Sequence, residues 1–175
     1  MARLSLVPDD IAQPADLVAT FRARHDGALL DVERMMLHSP ALASAWNGFF
    51  GGIKSGMLLS PRHRELIACA VGALNAAHYQ FEQHAAPFLA GGGTQAELDA
   101  LRVPAAAANN DTLFDHLDRA VLRVTIEITR DVRVSDAAFS AAREATGSDQ
   151  AMVELVGVVA GYNLVSRFLV ALEIA

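Results

Sequence analysis

Cysteine is almost missing from this chain. A single thiol, Cys69, in 175 residues excludes an intramolecular disulfide framework and a cysteine-built zinc knuckle. Stability must then come from a core, and a chain of this length hides roughly 70% of the surface that its unfolded form exposes. Lysine is as scarce, since the basic side chains are thirteen arginines and Lys54. With abundant alanine, that usage fits a GC-rich bacterial coding sequence. Positive charge is in deficit, 14 basic groups against 20 acidic ones, for a net charge of -6 and a pI near 5.4. A nucleic-acid partner and an anionic membrane surface are therefore not expected. The uncharged stretch Leu66 to Phe81 is broken by Asn75, His78 and Gln80 and falls short of the roughly 20 residues that span a bilayer. No membrane helix is expected. The first ten residues lack a basic n-region, an apolar h-region and a small-residue cleavage site, so no secretory signal is read and the cytoplasm is the expected location.

Strand punctuation is missing too: no Asn-Gly or Asp-Gly turn separates alternating segments, and the fold expected is all-α. A single domain is expected, with residues 1–38 as an N-terminal extension with the first helices and 39–172 as the core. Ser39-Pro40 and Ser60-Pro61 each set an N-cap hydroxyl before a proline at the first helical position, which predicts helices from Pro40 to about Ile53 and from Pro61 to about Asn75. A third runs from about Ala77 to the breaker Gly91-Gly92-Gly93. Thr94-Gln95-Ala96-Glu97 is a capping box that opens a short helix to about Leu101. Pro104 to Asn110 reads as a loop. Asn110-Asp111 is expected to cap a long amphipathic segment to Thr129, and Ser135 and Ser148 to cap two more. The last helix, Asp149 to about Leu172, carries only Glu154 and Arg167 as interior charges. A helix apolar on nearly every side in so short a chain predicts partial cover by another subunit, hence a homo-oligomer: a dimer, trimer or hexamer.

Candidate chemistry concentrates between Ser60 and Gly93. Ala77, Gln80 and His84 are spaced three and four apart and share one helix face, and Arg62, Glu65, Cys69 and Gly72 share a face of the preceding helix. In an antiparallel hairpin Glu65 lies about 15 Å from the turn and His84 about 9 Å. A contact between them then needs a large crossing angle, a bridging water or a residue from another subunit. Arg62 and Arg64 in the first turn are either holders of a substrate carboxylate or solvated arginines. His78 and Tyr79 are candidate pocket-lining residues. His78 and His84 are six apart, which does not give the i, i+4 geometry of a helical metal pair, and no metal is expected.

This stretch resembles the carboxymuconolactone decarboxylase family, whose relatives include the alkylhydroperoxidase D thiol peroxidases. The family pattern is a Pro-Arg helix start, a glutamate, two positions twelve and fifteen residues later that form a Cys-x-x-Cys pair in the peroxidases, and a histidine at nineteen. Counted from Glu65, these positions are Ala77, Gln80 and His84, so the glutamate and histidine match and both cysteines are absent. His38-Ser39-Pro40-Ala41-Leu42 with Trp46, and Tyr162 to Phe168, are similar to the family's N-terminal and last helices. The resemblance covers roughly residues 30 to 172 and implies an alkylhydroperoxidase D-like helical fold, a homo-oligomer and no cofactor. It also implies Glu65 and His84 as acid–base residues, with Arg62, Arg64, His78, Tyr79 and Gln80 around a small substrate. The activity it implies is cofactor-free decarboxylation of a small carboxylated lactone or unsaturated acid. The alternatives are a peroxidase-like antioxidant protein and a catalytically silent binding protein on the same fold. A dithiol cycle needs an attacking and a resolving thiol, and neither Ala77 nor Gln80 supplies one.

Overall fold

The computed structural model describes residues 2–175. Ten helices and no strand occur among them: α1 (Ala15–Arg22), α2 (Asp31–Met36), α3 (Pro40–Lys54), α4 (Pro61–Leu74), α5 (His78–Ala90), α6 (Gln95–Ala100), α7 (Pro104–Ala107), α8 (His116–Asp131), α9 (Asp136–Thr146) and α10 (Asp149–Leu172). By contacts the chain forms two compact units, one of the residues up to Ser55 with Leu172–Ala175, the other Gly56–Ala171. In the first unit, α3 opens as its sequence dictates, with Ser39 Oγ accepting from the Leu42 amide and Pro40 at the first position. It packs on α2.

The second unit holds every candidate residue. Its centre is α4, where the seven consecutive residues Leu66 to Gly72 are all buried. A helix buried on all sides needs partners on all sides, and α4 packs on α5, α7 and α8. Gly72 sets how closely α5 approaches. A Cβ there would lie 3.0 Å from the Phe81 nitrogen and 3.3 Å from the Ala77 carbonyl oxygen, so only a residue without a side chain admits the start of α5 at this distance. Helix α8 presents a strongly apolar face (Val121, Leu122, Val124) to α4 and also packs on α9.

Two boundaries differ from expectation. The long helix begins at His116 rather than at Asn110-Asp111, capped by Asp115, whose carboxylate accepts from the Asp118 amide at 2.8 Å. Asn110 instead caps a turn, its Oδ1 accepting from the Thr112 and Leu113 amides at 3.2 Å each. The expected loop 104–110 contains the short helix α7, which Pro104 opens at its first position. Among the described residues α10 alone is long and apolar enough to cross a membrane by length and composition, and half of its most apolar window is buried within the fold. The expectation of no such helix rests on uncharged stretches alone, whereas this window tolerates a charge.

Candidate active site

The α4–α5 hairpin brings Glu65 and His84 together. Ser60 Oγ accepts from the His63 amide at 3.2 Å, and Pro61 starts α4, so Arg62, His63, Arg64 and Glu65 occupy its first turns. His84 stands on the seventh residue of α5. With Gly72 allowing the close approach, His84 Nδ1 lies 2.5 Å from Glu65 Oε2, a direct contact without water or a second subunit. Both side chains keep an opening to solvent, 22% exposed for His84 and 18% for Glu65. When the imidazole is neutral, Nδ1–H donates to the carboxylate and Nε2 is the ring nitrogen left to accept or deliver a proton.

The third member of the group comes from α10, and no spacing rule singles it out as a site residue. Tyr162, 4% exposed, sets its ring edge-on to the His84 imidazole, centroids 4.9 Å apart at 82°. Burial, and then the charge of Glu65, push the Tyr162 phenol well above its ordinary range, so it stays protonated. Its one sequence signal is membership of the segment that resembles the family's last helix.

Several of the expected substrate-binding residues are placed otherwise. Arg62 is not a carboxylate holder: Nη1 donates to Asp118 Oδ1 at 2.5 Å, and Nη2 to Glu97 Oε1 at 2.5 Å and Asp118 Oδ2 at 3.1 Å. A guanidinium engaged by two buried carboxylates of its own chain is structural. Gln80 is 1% exposed, its Nε2 donating to the Ala68 carbonyl at 2.9 Å and its Oε1 accepting from Ser166 Oγ at 2.9 Å. It ties α5 to α4 and α10 and is not turned toward a ligand. His78 is exposed on the first residue of α5, and both it and Tyr79 lie off the face that carries Gln80 and His84, five or six residues from the histidine. Arg64 remains available. It is half-buried, donates to the Leu59 carbonyl at 3.2 Å through Nη1, and its charge acts on the Tyr162 phenol.

Around Arg62 the N-termini of α4, α6 and α8 converge on one ionic cluster. Burial alone would raise the Asp118 pKa; the neighbouring His63 and the hydrogen bonds and charge of Arg62 override it and hold the carboxyl at about 2. His63 Nε2 sits 3.2 Å from Asp118 Oδ1 without a well-directed hydrogen bond, while its Nδ1 meets Ser60 Oγ at 2.7 Å. Cys69, one turn beyond Glu65, is fully buried, and burial and the nearby Glu65 charge push its thiol up to about 12.

The all-α fold, with the Glu65–His84 pair between the arms of the α4–α5 hairpin, is alkylhydroperoxidase D-like. The carboxymuconolactone decarboxylase family model matches residues 40–122. Among solved structures, a peroxidase-related protein from Ralstonia eutropha JMP134 is 21% identical with a TM-score of 0.87, covering 99% of this chain and 91% of its own. One from Silicibacter sp. TM1040 is 19% identical with a TM-score of 0.84, over 99% and 91%. The debrominase Bmp8, as a cysteine-to-alanine variant in complex with 2,3,4-tribromopyrrole, is 17% identical with a TM-score of 0.82, over 99% and 92%. No curated protein matches the chain. The chain is thus alkylhydroperoxidase D-like in fold and matches the carboxymuconolactone decarboxylase family model over residues 40–122, without the Cys-x-x-Cys pair.

Proposed function

We propose that this protein is a cofactor-free decarboxylase, acting on a small carboxylated lactone or a related unsaturated acid. The observation that carries the reading is the 2.5 Å contact between Glu65 Oε2 and His84 Nδ1 at a half-open position. It orients the ring, and the Glu65 carboxylate balances the imidazolium, whose Nε2–H is the proton donor. In the reaction the bond from the substrate carbon to its carboxyl group breaks and carbon dioxide leaves. The electron pair passes into the unsaturated ring, and the Nε2 proton goes to the carbon left behind. Solvent returns that proton to His84. Arg64, the arginine of this turn not consumed by buried carboxylates, holds the negative charge of the substrate, and the Tyr162 ring, edge-on to the imidazole at 4.9 Å, restricts its rotation. Mono- and dicarboxylates and lactones that raise the melting temperature identify the ligand class, since binding to the folded state alone stabilises it. Carbon dioxide release from the hits then tests the reaction. Stabilising ligands without turnover would indicate a binding protein on this fold.

The peroxidase-related neighbours favour a second reading, a peroxide-reducing enzyme. The state of Cys69 weighs against it, because a fully buried thiol pushed up to about 12 supplies little thiolate near neutral pH. The expected result is no enzyme-like peroxide consumption with a dithiol reductant, measured by loss of peroxide absorbance. Turnover that disappears in Cys69→Ser would establish the peroxidase reading instead.

A further inference from the structure

Asn163 is the hub of a hydrogen-bond network at the turn end of the α4–α5 hairpin. It is 5% exposed; its Nδ2 donates to Thr129 Oγ1 at 2.9 Å and to the Val159 carbonyl at 3.0 Å, and its Oδ1 accepts from Asn75 Nδ2 at 3.0 Å and from Arg167 Nη1 at 2.8 Å. With both donors and both lone pairs used, the amide has one orientation and fixes the two residues that bond it. Arg167 Nη1 also donates to the Asn163 backbone oxygen at 3.2 Å. The other edge of the guanidinium, formed by Nη2 and Nε, makes no bond among the described residues, and no acid lies within salt-bridge distance of it. Arg167 is exposed, and with Asn75, Ser166, Val170 and Ala171 it lines a depression of about 350 Å³. The decarboxylase reading makes no use of this charge.

We propose that this depression binds a small organic monocarboxylate, held by the Nη2–Nε edge of Arg167. That edge presents two parallel N–H donors, the geometry that the two oxygens of a carboxylate match. Because Asn163 already anchors the guanidinium, a ligand orders less of a long side chain when it binds. Asn75 keeps its Oδ1 and a second N–H for the ligand, and Val170 and Ala171 give a short alkyl chain an apolar wall. A dianion fits less well: Arg167 is the one cation lining the depression, and the C-terminal ends of α4 and α10, at Asn75 and Ala171, point their negative dipole ends toward this region. Ser166 in the wall donates to Gln80, four residues before His84, which sets the depression a helical turn or more nearer the end of the hairpin than the Glu65–His84 pair.

Butyrate and its uncharged analogue butyramide, titrated into the full chain carrying Arg64→Gln and followed by melting temperature and amide NMR shifts, test this. Arg64→Gln removes the carboxylate holder of the proposed reaction, so binding that persists belongs to the new site, and its failure leaves the decarboxylase reading untouched. Butyrate should raise the melting temperature and shift the amides of Asn75, Val170 and Ala171, and butyramide should do neither. Adding Arg167→Gln, with an unchanged circular dichroism spectrum, should weaken butyrate binding roughly tenfold or more. Val170→Glu keeps Arg167 but sets a carboxylate of the chain's own three residues along the same helix, at a position 48% exposed, and should abolish butyrate binding. Equal binding of butyrate and butyramide, shifts confined to Glu65 and His84, or undiminished binding in Arg167→Gln would each overturn the proposal. So would no butyrate binding at tens of millimolar together with a changed light-scattering mass in Arg167→Gln, which would assign the guanidinium to a subunit contact instead.

Discussion

Alanine in place of His84 is expected to slow decarboxylation of an identified substrate by roughly 10²- to 10⁴-fold, the usual effect of removing a positioned proton donor. The loss should fall on kcat, because the imidazole acts on the carbanion that forms after the carboxylate has bound. Glu65→Gln is the sharper probe. The amide can still touch Nδ1, 2.5 Å away in the wild type, but it no longer balances an imidazolium or fixes which ring nitrogen carries the proton. A large drop in Glu65→Gln with unchanged melting temperature and mass assigns the pair to chemistry. Full activity in both variants would make the pair structural and remove the basis of the decarboxylase reading.

Asp118→Ala is expected to destabilise the fold by roughly 3 to 5 kcal/mol, measured by urea unfolding. The side chain is 2% exposed and its partners are fixed on other elements, so alanine leaves Arg62 beside Glu97 alone and His63 without its neighbouring carboxylate. It also removes half of the capping box that starts α8. The same carboxyl makes the protein sensitive to acid in a defined window. Its folded pKa of about 2 lies below the ordinary value of 3.8, so its contribution is complete above about pH 4 and is lost as the pH falls toward 2. That difference corresponds to about 2 kcal/mol. Wild-type unfolding free energy should fall through this interval and that of Asp118→Asn should fall less. Equal slopes for the two would show that other carboxyls dominate.

The parts of the fold legible in the sequence are those whose causes are local. Ser39-Pro40, Ser60-Pro61, Thr94 with Glu97, Ser135 and Ser148 each mark a helix start, because capping hydroxyl, proline and first turn lie within four residues of one another. Local rules mislead where two caps compete. Asn110 and Asp115 both cap, and only the packing of α8 on α4 decides which of them starts the long helix. The candidate pair Glu65 and His84 is legible through the family resemblance, whereas their direct bond depends on how closely Gly72 admits α5. The role of Arg62 is hidden because its partner Asp118 lies 56 residues away, beyond any spacing rule. Gln80 is obscured for a related reason: its helix face is read correctly, but that face packs on α4 and α10, and a buried amide satisfies itself there before it meets a ligand.

The Gln80 bridge bears on whether a dithiol site fits this hairpin. In the pattern this stretch resembles, the thiol peroxidases carry cysteines at the positions of Ala77 and Gln80, so building the pair here would require Ala77→Cys and Gln80→Cys together. A thiol at 80 cannot span from the Ala68 carbonyl to the Ser166 hydroxyl as the amide does, and Ser166, fully buried, would lose its acceptor. Each unmatched group costs about 1 to 3 kcal/mol, so the doubly substituted chain should melt below the present one even though both thiols are present. A dithiol pair at these two positions is therefore incompatible with the present packing of α5 on α10 unless Ser166 is replaced as well.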